Sequence, residues 1–155
     1  MRLGILTFHR SHNYGTVLQV YSFQEYLRSK GHDVYIIDYI IPKFARWYPR
    51  DGIKIWISKN PRKALNRLLN YIKTRDKRHN RWDNFDNFFK TKYNIRPTCQ
   101  GDEYVDLDAL FLGSDQIWSA SHTEGVFDAI YFGKNSSTKV ISYAPSTSIE
   151  ELNGE

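Results

Sequence analysis

Three short polar segments of the sequence carry side chains that could bind a ligand or move a proton. They run from His9 to Gly15, from Gly113 to Trp118 and from Pro145 to Ser148. Hydroxyl and amide groups can hold a hydroxylated or anionic ligand, and a carboxylate or an imidazole can transfer protons. We predict Asp115 or a histidine of the first segment as the acid or base, and the turn from Asn13 to Gly15 as a clamp for an anionic group. A plainer interpretation stays open, because strand ends in any α/β sheet need polar caps.

The other titratable residues give weaker signals. His9 and His12 flank the first segment, where a solvated state is expected, and none of the five histidines has the spacing of a metal-binding pair on a helix. We predict no bound metal and no cofactor, because the first segment also lacks the glycine patterns of dinucleotide and phosphate loops. Asp38 ends a predicted strand, as a ribose-binding acid would, but capping a turn is the simpler role.

The elements that must position these segments follow from the hydrophobic pattern. The run from Leu3 to Phe8 predicts a buried parallel strand, and Asn13 can cap a helix that Gly31 ends before the next strand, Val34 to Asp38. Two more strands are predicted at residues 109–112 and 139–143. Because a strand–helix–strand unit with parallel strands has a right-handed crossover, the polar segments that follow the strands should lie at one edge of the sheet. The pattern therefore predicts a Rossmann-like α/β fold, a parallel sheet flanked by helices.

Positive charge is concentrated in one part of the chain. Residues 42–100 hold sixteen Lys and Arg against four Asp, and the rest of the 155-residue chain holds six basic against thirteen acidic residues. Helical periodicity after Pro61, and again from Trp82 to Lys90, predicts a basic helical insertion within a single domain spanning residues 1–155. Its aromatic residues would suit nucleic acid, but a polyanionic carbohydrate or a membrane face fits better, because attraction needs only the charge excess.

No run of apolar residues is long enough to cross a bilayer, and the chain starts with a strand pattern instead of a leader peptide. We expect a cytoplasmic protein, with the inner membrane face as a further location for the basic segment.

Four blocks of the sequence together resemble a known family. They are Gly4-Ile5-Leu6-Thr7-Phe8 with Asn13-Tyr14-Gly15 and Leu18-Gln19, Gly31-His32-Asp33-Val34 with Ile37-Asp38-Tyr39, Gly113-Ser114-Asp115-Gln116-Ile117-Trp118, and Ile141-Ser142-Tyr143-Ala144-Pro145-Ser146. In this order they resemble the N-terminal half of the polysaccharide pyruvyl transferases. The resemblance implies one lobe of a two-lobed enzyme similar to the GT-B glycosyltransferases. Such an enzyme moves the pyruvyl group of phosphoenolpyruvate onto a sugar as a ketal, during exopolysaccharide or cell-wall polymer synthesis.

On that resemblance, Asp115 is the candidate catalytic base. The cleft that binds the sugar acceptor would be lined by Asn13, Tyr14, Gly15, Gln19, Ser114, Gln116, Ser142 and Ser146. The phosphoenolpyruvate site would lie largely in a C-terminal lobe, which we expect to be absent from this chain, so that a partner chain or self-association would have to complete the site. We therefore expect no turnover by this lobe alone. Two alternatives stay open: a non-catalytic lobe that binds a sugar or nucleotide sugar, and a glycosyltransferase of similar fold.

Overall fold

The computed structural model describes residues 1–40, 61–97, 106–113, 115–119, 127–134 and 136–147. Its elements in chain order are β1 (Arg2–Leu6), α1 (Tyr14–Ser29), β2 (Asp33–Asp38), α2 (Pro61–Lys73), α3 (Arg75–Lys92), β3 (Ile95–Pro97), β4 (Ala109–Leu112), a 3-10 helix (Ala129–Phe132) and β5 (Lys139–Ser142). The five strands form one parallel sheet in the order β3-β2-β1-β4-β5. This arrangement confirms the predicted Rossmann-like α/β fold.

The central strands β1, β2 and β4 are buried on both faces of the sheet, as is typical of a parallel sheet. On the face covered by α1, the core consists of Leu3, Ile5, Leu27, Val34 and Ala109. On the opposite face it consists of Leu6, Phe8, Ile37, Leu107, Leu110, Leu112, Ile117 and Tyr131. Successive residues of β1, β2 and β4 alternate between the two faces, so these three central strands contribute apolar side chains to both layers.

Helix α1 begins and ends where the sequence predicts. The Asn13 side-chain oxygen accepts a hydrogen bond of 2.8 Å from the Gly15 N–H, which is the geometry of an N-cap. The helix ends at Ser29, and Gly31 follows with a φ of +81°, a conformation that glycine adopts without strain. The fully buried Gln24 then joins α1 to the start of β3, because it donates to the Lys92 carbonyl and accepts from the Asn94 N–H.

The prediction for the basic segment is right about its helices and wrong about its end. Pro61 is the first residue of α2, and the charged stretch from Asp76 to Arg81 is part of α3. The segment closes with β3, an unpredicted strand that pairs in parallel with β2. Because Phe85 and Phe89 pack in the core on the α1 side, α3 is the crossover helix between β2 and β3. Residues 41–60 and 98–105 lie outside the described residues.

The order of the strands fixes where a ligand site can form. Strand β1 lies between β2 and β4, so the chain leaves β1 toward one side of the sheet and returns through β4 on the other side. The carboxyl ends of β1 and β4 therefore border a topological switch point, which is where open α/β sheets bind ligands. Among the described residues, no helix combines the length and the apolarity needed to cross a membrane.

Candidate functional site

The three polar segments meet at the carboxyl edge of the sheet. The Thr16 hydroxyl, in the first turn of α1, donates a hydrogen bond of 2.9 Å to Asp115 Oδ2, in the segment that follows β4. The Asp115 carbonyl accepts a hydrogen bond of 3.0 Å from the Ser146 N–H, and Asp115 pairs with Pro145 in an isolated parallel bridge. Asp115 thus joins the segments after β1, β4 and β5 into one rim, which we call the β1–β4–β5 rim.

Asp115 holds an uncommon backbone conformation at the centre of this rim. Its φ is +109°, and Ala144, two residues after the end of β5, has a φ of +46°. Left-handed conformations of residues other than glycine cost about 1–3 kcal/mol each and cluster at functional sites, where the surrounding structure holds them in place. A polar cap alone does not need such strain, so the conformation of Asp115 favours a ligand site over the plainer interpretation.

Two consecutive residues of the rim, Asp115 and Gln116, carry acceptor groups. The half-buried Asp115 carboxylate accepts from Thr16 through Oδ2 and from the Gln116 N–H through Oδ1, at 2.8 Å. The side-chain oxygen of Gln116 is buried, and within the described part of the chain it has no hydrogen-bond partner. Buried acceptors are nearly always satisfied in folded proteins, so this oxygen is suited to a donor group from a bound molecule.

The start of α1 forms the neighbouring wall. The Gly15 N–H is already used by the Asn13 cap, so it does not serve the predicted anion clamp. The N–H groups of Tyr14 and Thr16 belong to the same first turn, where a helix offers no acceptor of its own. Beside them lies Arg81 of α3, which donates to the His12 carbonyl at 2.8 Å and whose guanidinium carbon is 5.4 Å from the centre of the exposed Tyr14 ring.

The other predicted site residues are distributed less closely. Gln19 is exposed on α1, one turn after Thr16 and one turn before Phe23, whose ring stacks on Tyr143 at 4.2 Å. It therefore lies on the side of α1 that meets β4 and β5. Ser146 is exposed and contacts Asp115 through its backbone, whereas Ser114 lies outside the described residues.

Ser142 does not share the layer of Gln19. Its neighbour Ile141 packs on the α1 face of the sheet, against Phe111 and the other residues of that layer. Because side chains alternate along a strand, Ser142 belongs to the opposite face. The structure thus brings Asp115, Gln116 and Ser146 to the first turn of α1, and it sets the Ser142 side chain apart from them.

Both histidines of the first segment are buried, which corrects the expectation that they are solvated. His9 is 1% exposed, with Nε2 at 2.9 Å from Asp38 Oδ1 and Nδ1 at 3.2 Å from the Thr7 carbonyl oxygen. His12 is 8% exposed and stacks on Phe85, with Trp82 against its edge. Burial, and then the charge of Arg81, lowers the pKa of His12. Helix α3 covers this segment from far along the chain, and no local sequence signal predicts that contact.

Asp38 is occupied by partners from within the chain. Arg10 donates to both of its oxygens, at 2.7 and 2.6 Å, and His9 forms the third contact. The hydrogen bond with His9, followed by those with Arg10, holds the pKa of the Asp38 carboxyl well below its usual range although burial opposes the shift. These contacts support a structural role for Asp38 over ribose binding.

This cluster should make the fold sensitive to acid. A carboxyl whose pKa is lower in the folded chain binds fewer protons when folded, so its contribution to stability is present above its ordinary pKa of about 3.9 and is lost as the pH falls below that value. We expect Asp38→Asn to lower the urea midpoint at pH 7 and to flatten its decline between about pH 4 and pH 2.5. Asp76→Asn, at an exposed position of α3, controls for the loss of one negative charge. A decline as steep in Asp38→Asn as in the wild type would contradict this role.

Three side chains at or near the carboxyl edge of the sheet were not among the predicted site residues: Thr16, Arg10 and Arg81. Thr16 carried a detectable signal, because a hydroxyl in the first turn of a crossover helix lies at the carboxyl edge of the sheet. The two arginines did not, since their partners lie 28 and 69 residues away along the chain. Within the residues that the structure describes, no group of three His, Cys, Asp or Glu side chains could hold a metal ion.

Comparison with protein families finds one match. The model of a family described as polysaccharide pyruvyl transferase matches residues 13–155, which is all of the chain except its first twelve residues. The match begins at the N-cap of α1 and includes Asp115 and every residue predicted to line the acceptor cleft. Comparisons with curated proteins and with solved structures find no match.

Proposed function

The chain belongs to the polysaccharide pyruvyl transferase family, and from that premise we propose that it supplies the acceptor side of a pyruvyl transfer reaction. Membership indicates a transferase that acts on a sugar acceptor. The donor that we propose is phosphoenolpyruvate, and the product is a sugar that carries the pyruvyl group as a ketal within an exopolysaccharide or cell-wall polysaccharide. This donor implies a cytoplasmic reaction.

The observation that carries this proposal is the pair of acceptors on the β1–β4–β5 rim. The Asp115 carboxylate and the Gln116 side-chain oxygen, which has no partner among the described residues, can both accept hydrogen bonds from hydroxyl groups, which a sugar offers in adjacent pairs. A carboxylate at the centre of the rim would repel the negative charges of phosphoenolpyruvate. The electrostatics therefore favour the acceptor sugar at this rim and the donor elsewhere.

The reaction assigns a step to Asp115. When the ketal forms, two sugar hydroxyls add to the carbon that bears the phosphate, the neighbouring methylene carbon gains a proton, and phosphate leaves. Two hydroxyl protons must be removed, of which one balances the proton gained by carbon and the other leaves with phosphate. We assign Asp115 as the base that takes a hydroxyl proton, and Thr16 as a positioning residue that holds one carboxylate oxygen.

We assign the protein groups that bind phosphoenolpyruvate to a second lobe. Phosphate and carboxylate need cationic or amide partners, and a two-lobed architecture similar to the GT-B glycosyltransferases would bring these to the rim from across a cleft. We propose that this lobe lies outside the 155 residues and comes from further chain or from a partner chain. A nucleotide-sugar donor is less well supported, because Arg10 and His9 occupy the Asp38 carboxylate that would hold a ribose.

The test measures binding and turnover separately on the purified chain. Saturation-transfer NMR with a panel of sugars should detect a bound acceptor, and Gln116→Ala should weaken that binding, whereas Asn87→Ala, at an exposed position of α3, should not. Phosphate release from phosphoenolpyruvate should stay at background with every sugar in the panel. Robust release by the chain alone would refute the assignment of the donor to a second lobe, and failure of every sugar to bind would refute the acceptor site.

A further inference from the structure

Helix α2 presents a line of apolar side chains to solvent. Leu65 is 56% exposed, Leu69 is 54% exposed and Ile72 is 60% exposed. They recur at positions i, i+4 and i+7 of α2, which places them along one side of the helix over roughly 10 Å. We call these three residues the α2 stripe. Large apolar residues scattered singly on a surface are ordinary, but a continuous line of them indicates a surface that binds something.

The α2 stripe lies in a strongly basic part of the chain. Residues 61–81, which comprise α2 and the start of α3, contain eight Lys and Arg and one Asp. Arg62 and Lys73 are exposed, and helical spacing places them beside the stripe on the polar side of α2, together with the exposed Asn66 and Asn70. Exposed cations thus lie beside the α2 stripe, and the sequence of α2 contains no acidic residue.

The orientation of α2 is fixed at its C-terminal end. Arg78 of α3 donates to the Tyr71 carbonyl at 3.0 Å and to the Thr74 hydroxyl at 2.6 Å, across the break between the two helices. Its guanidinium also lies 3.8 Å from the centre of the Tyr71 ring. These contacts join α2 to α3, whose Phe85 and Phe89 are part of the core. The stripe is therefore carried by a helix that is connected to the folded domain.

We propose that α2 binds an anionic lipid surface, with the α2 stripe in the interface and the flanking cations against the headgroups. Interfacial helices combine a narrow apolar side with a basic side and bind by apolar burial plus attraction to anionic lipids. An anionic polymer would use the charges but not the stripe, and a protein groove would use the stripe without needing so large a charge excess. The combination favours a lipid surface. This inference goes beyond the proposed reaction, because it depends on no catalytic residue.

The test is a flotation assay that measures the binding of the whole chain to lipid vesicles. We expect binding to vesicles that contain phosphatidylcholine and phosphatidylglycerol, weak binding to phosphatidylcholine alone, and a loss of binding in about 0.5 M salt. The variant Leu65→Gln/Leu69→Gln/Ile72→Gln should reduce the partition coefficient roughly ten-fold or more, since three apolar side chains leave the interface. The matched control is Leu18→Gln on α1, where the leucine is also 54% exposed. Circular dichroism of each variant checks that its fold is intact, as expected for exposed positions.

Each other outcome would overturn the proposal. Equal binding to neutral and anionic vesicles would remove the role of charge, and equal losses in the triple variant and in Leu18→Gln would remove the role of the α2 stripe. A concentration-dependent dimer that the triple variant abolishes, with no vesicle binding, would identify a second copy of the chain as the occupant. Salt-dependent binding to heparin or duplex DNA that the triple variant leaves unchanged, again without vesicle binding, would identify a soluble polyanion.

Discussion

Replacing Asp115 by asparagine should lower turnover by about 10²- to 10⁴-fold, the range expected when a general base is lost, and should change the free energy of unfolding by less than about 0.5 kcal/mol. Asparagine keeps the shape of the residue and tolerates a positive φ almost as well as aspartate. Its carbonyl oxygen can still accept from the Gln116 N–H, and its amide can donate to the Thr16 hydroxyl, which reverses the direction of that hydrogen bond. The contacts of Asp115 are therefore retained, and only its basicity is lost.

The measurement needs both halves of the site. Turnover is therefore compared in a two-lobed member of the family that carries this aspartate, and urea unfolding is measured in the present chain. Two further variants separate the roles of the site: Thr16→Val removes only the hydroxyl that holds Asp115 Oδ2, and Asp115→Ala removes both hydrogen bonds. We expect roughly a ten-fold loss of kcat for Thr16→Val, because the Asp115 carboxylate is held less precisely without the Thr16 hydroxyl. If Asp115→Asn instead destabilised the chain as much as Asp115→Ala and lowered turnover in proportion, Asp115 would be a structural cap.

The first part of the fold could be predicted because its signals are local. Asn13 and Gly31 mark the two ends of α1 through the conformations that these residue types favour, and the apolar runs on either side give β1 and β2. Each signal depends on residues that are neighbours in the sequence. The parallel sheet then follows from the right-handed crossover, and the sheet in turn predicts that the polar segments meet at one edge.

Other features depend on contacts between distant parts of the chain, and the sequence carries no comparable signal for them. β3 has three residues, including an arginine and a proline, so neither its length nor its composition is typical of a strand. It exists because it pairs with β2 and because Gln24 of α1 holds the Asn94 N–H just before it. The burial of His12 depends in the same way on Trp82 and Phe85 of α3.

The candidate site lies between these two cases. The position of the site was predictable from the sheet. The face of the sheet on which each β5 side chain lies was not, because Val140 and Ile141 are both apolar and β5 therefore shows no alternation of apolar and polar residues. Only the pairing of β5 with β4 puts Ile141 in the α1 layer and Ser142 in the other. The positive φ of Asp115 was also unpredictable from its own residue type, since it results from the approach of the segment after β5.

That approach depends on Gly113, and Gly113→Ala should destabilise the chain by about 3 kcal/mol. Gly113 has a φ of +103°, and a Cβ added there would lie 2.4 Å from the Tyr143 carbonyl oxygen and 3.1 Å from the Pro145 nitrogen. Both atoms belong to the backbone of the segment after β5, so relief would require that whole segment to move away from Asp115. The substitution should therefore open the β1–β4–β5 rim as well as weaken the fold.

Gly31→Ala separates the two causes of this loss. Gly31 also has a left-handed φ, +81°, but an added Cβ there would meet no atom within 4 Å, so the variant measures the cost of the conformation alone. We expect about 1 kcal/mol for Gly31→Ala from urea unfolding at an unchanged m value, and the excess in Gly113→Ala then measures the steric contact. Equal losses in the two variants would mean that the segments after β4 and β5 are not packed closely. The convergence of Asp115, Gln116 and Ser146, on which the acceptor site depends, would then lose its structural support.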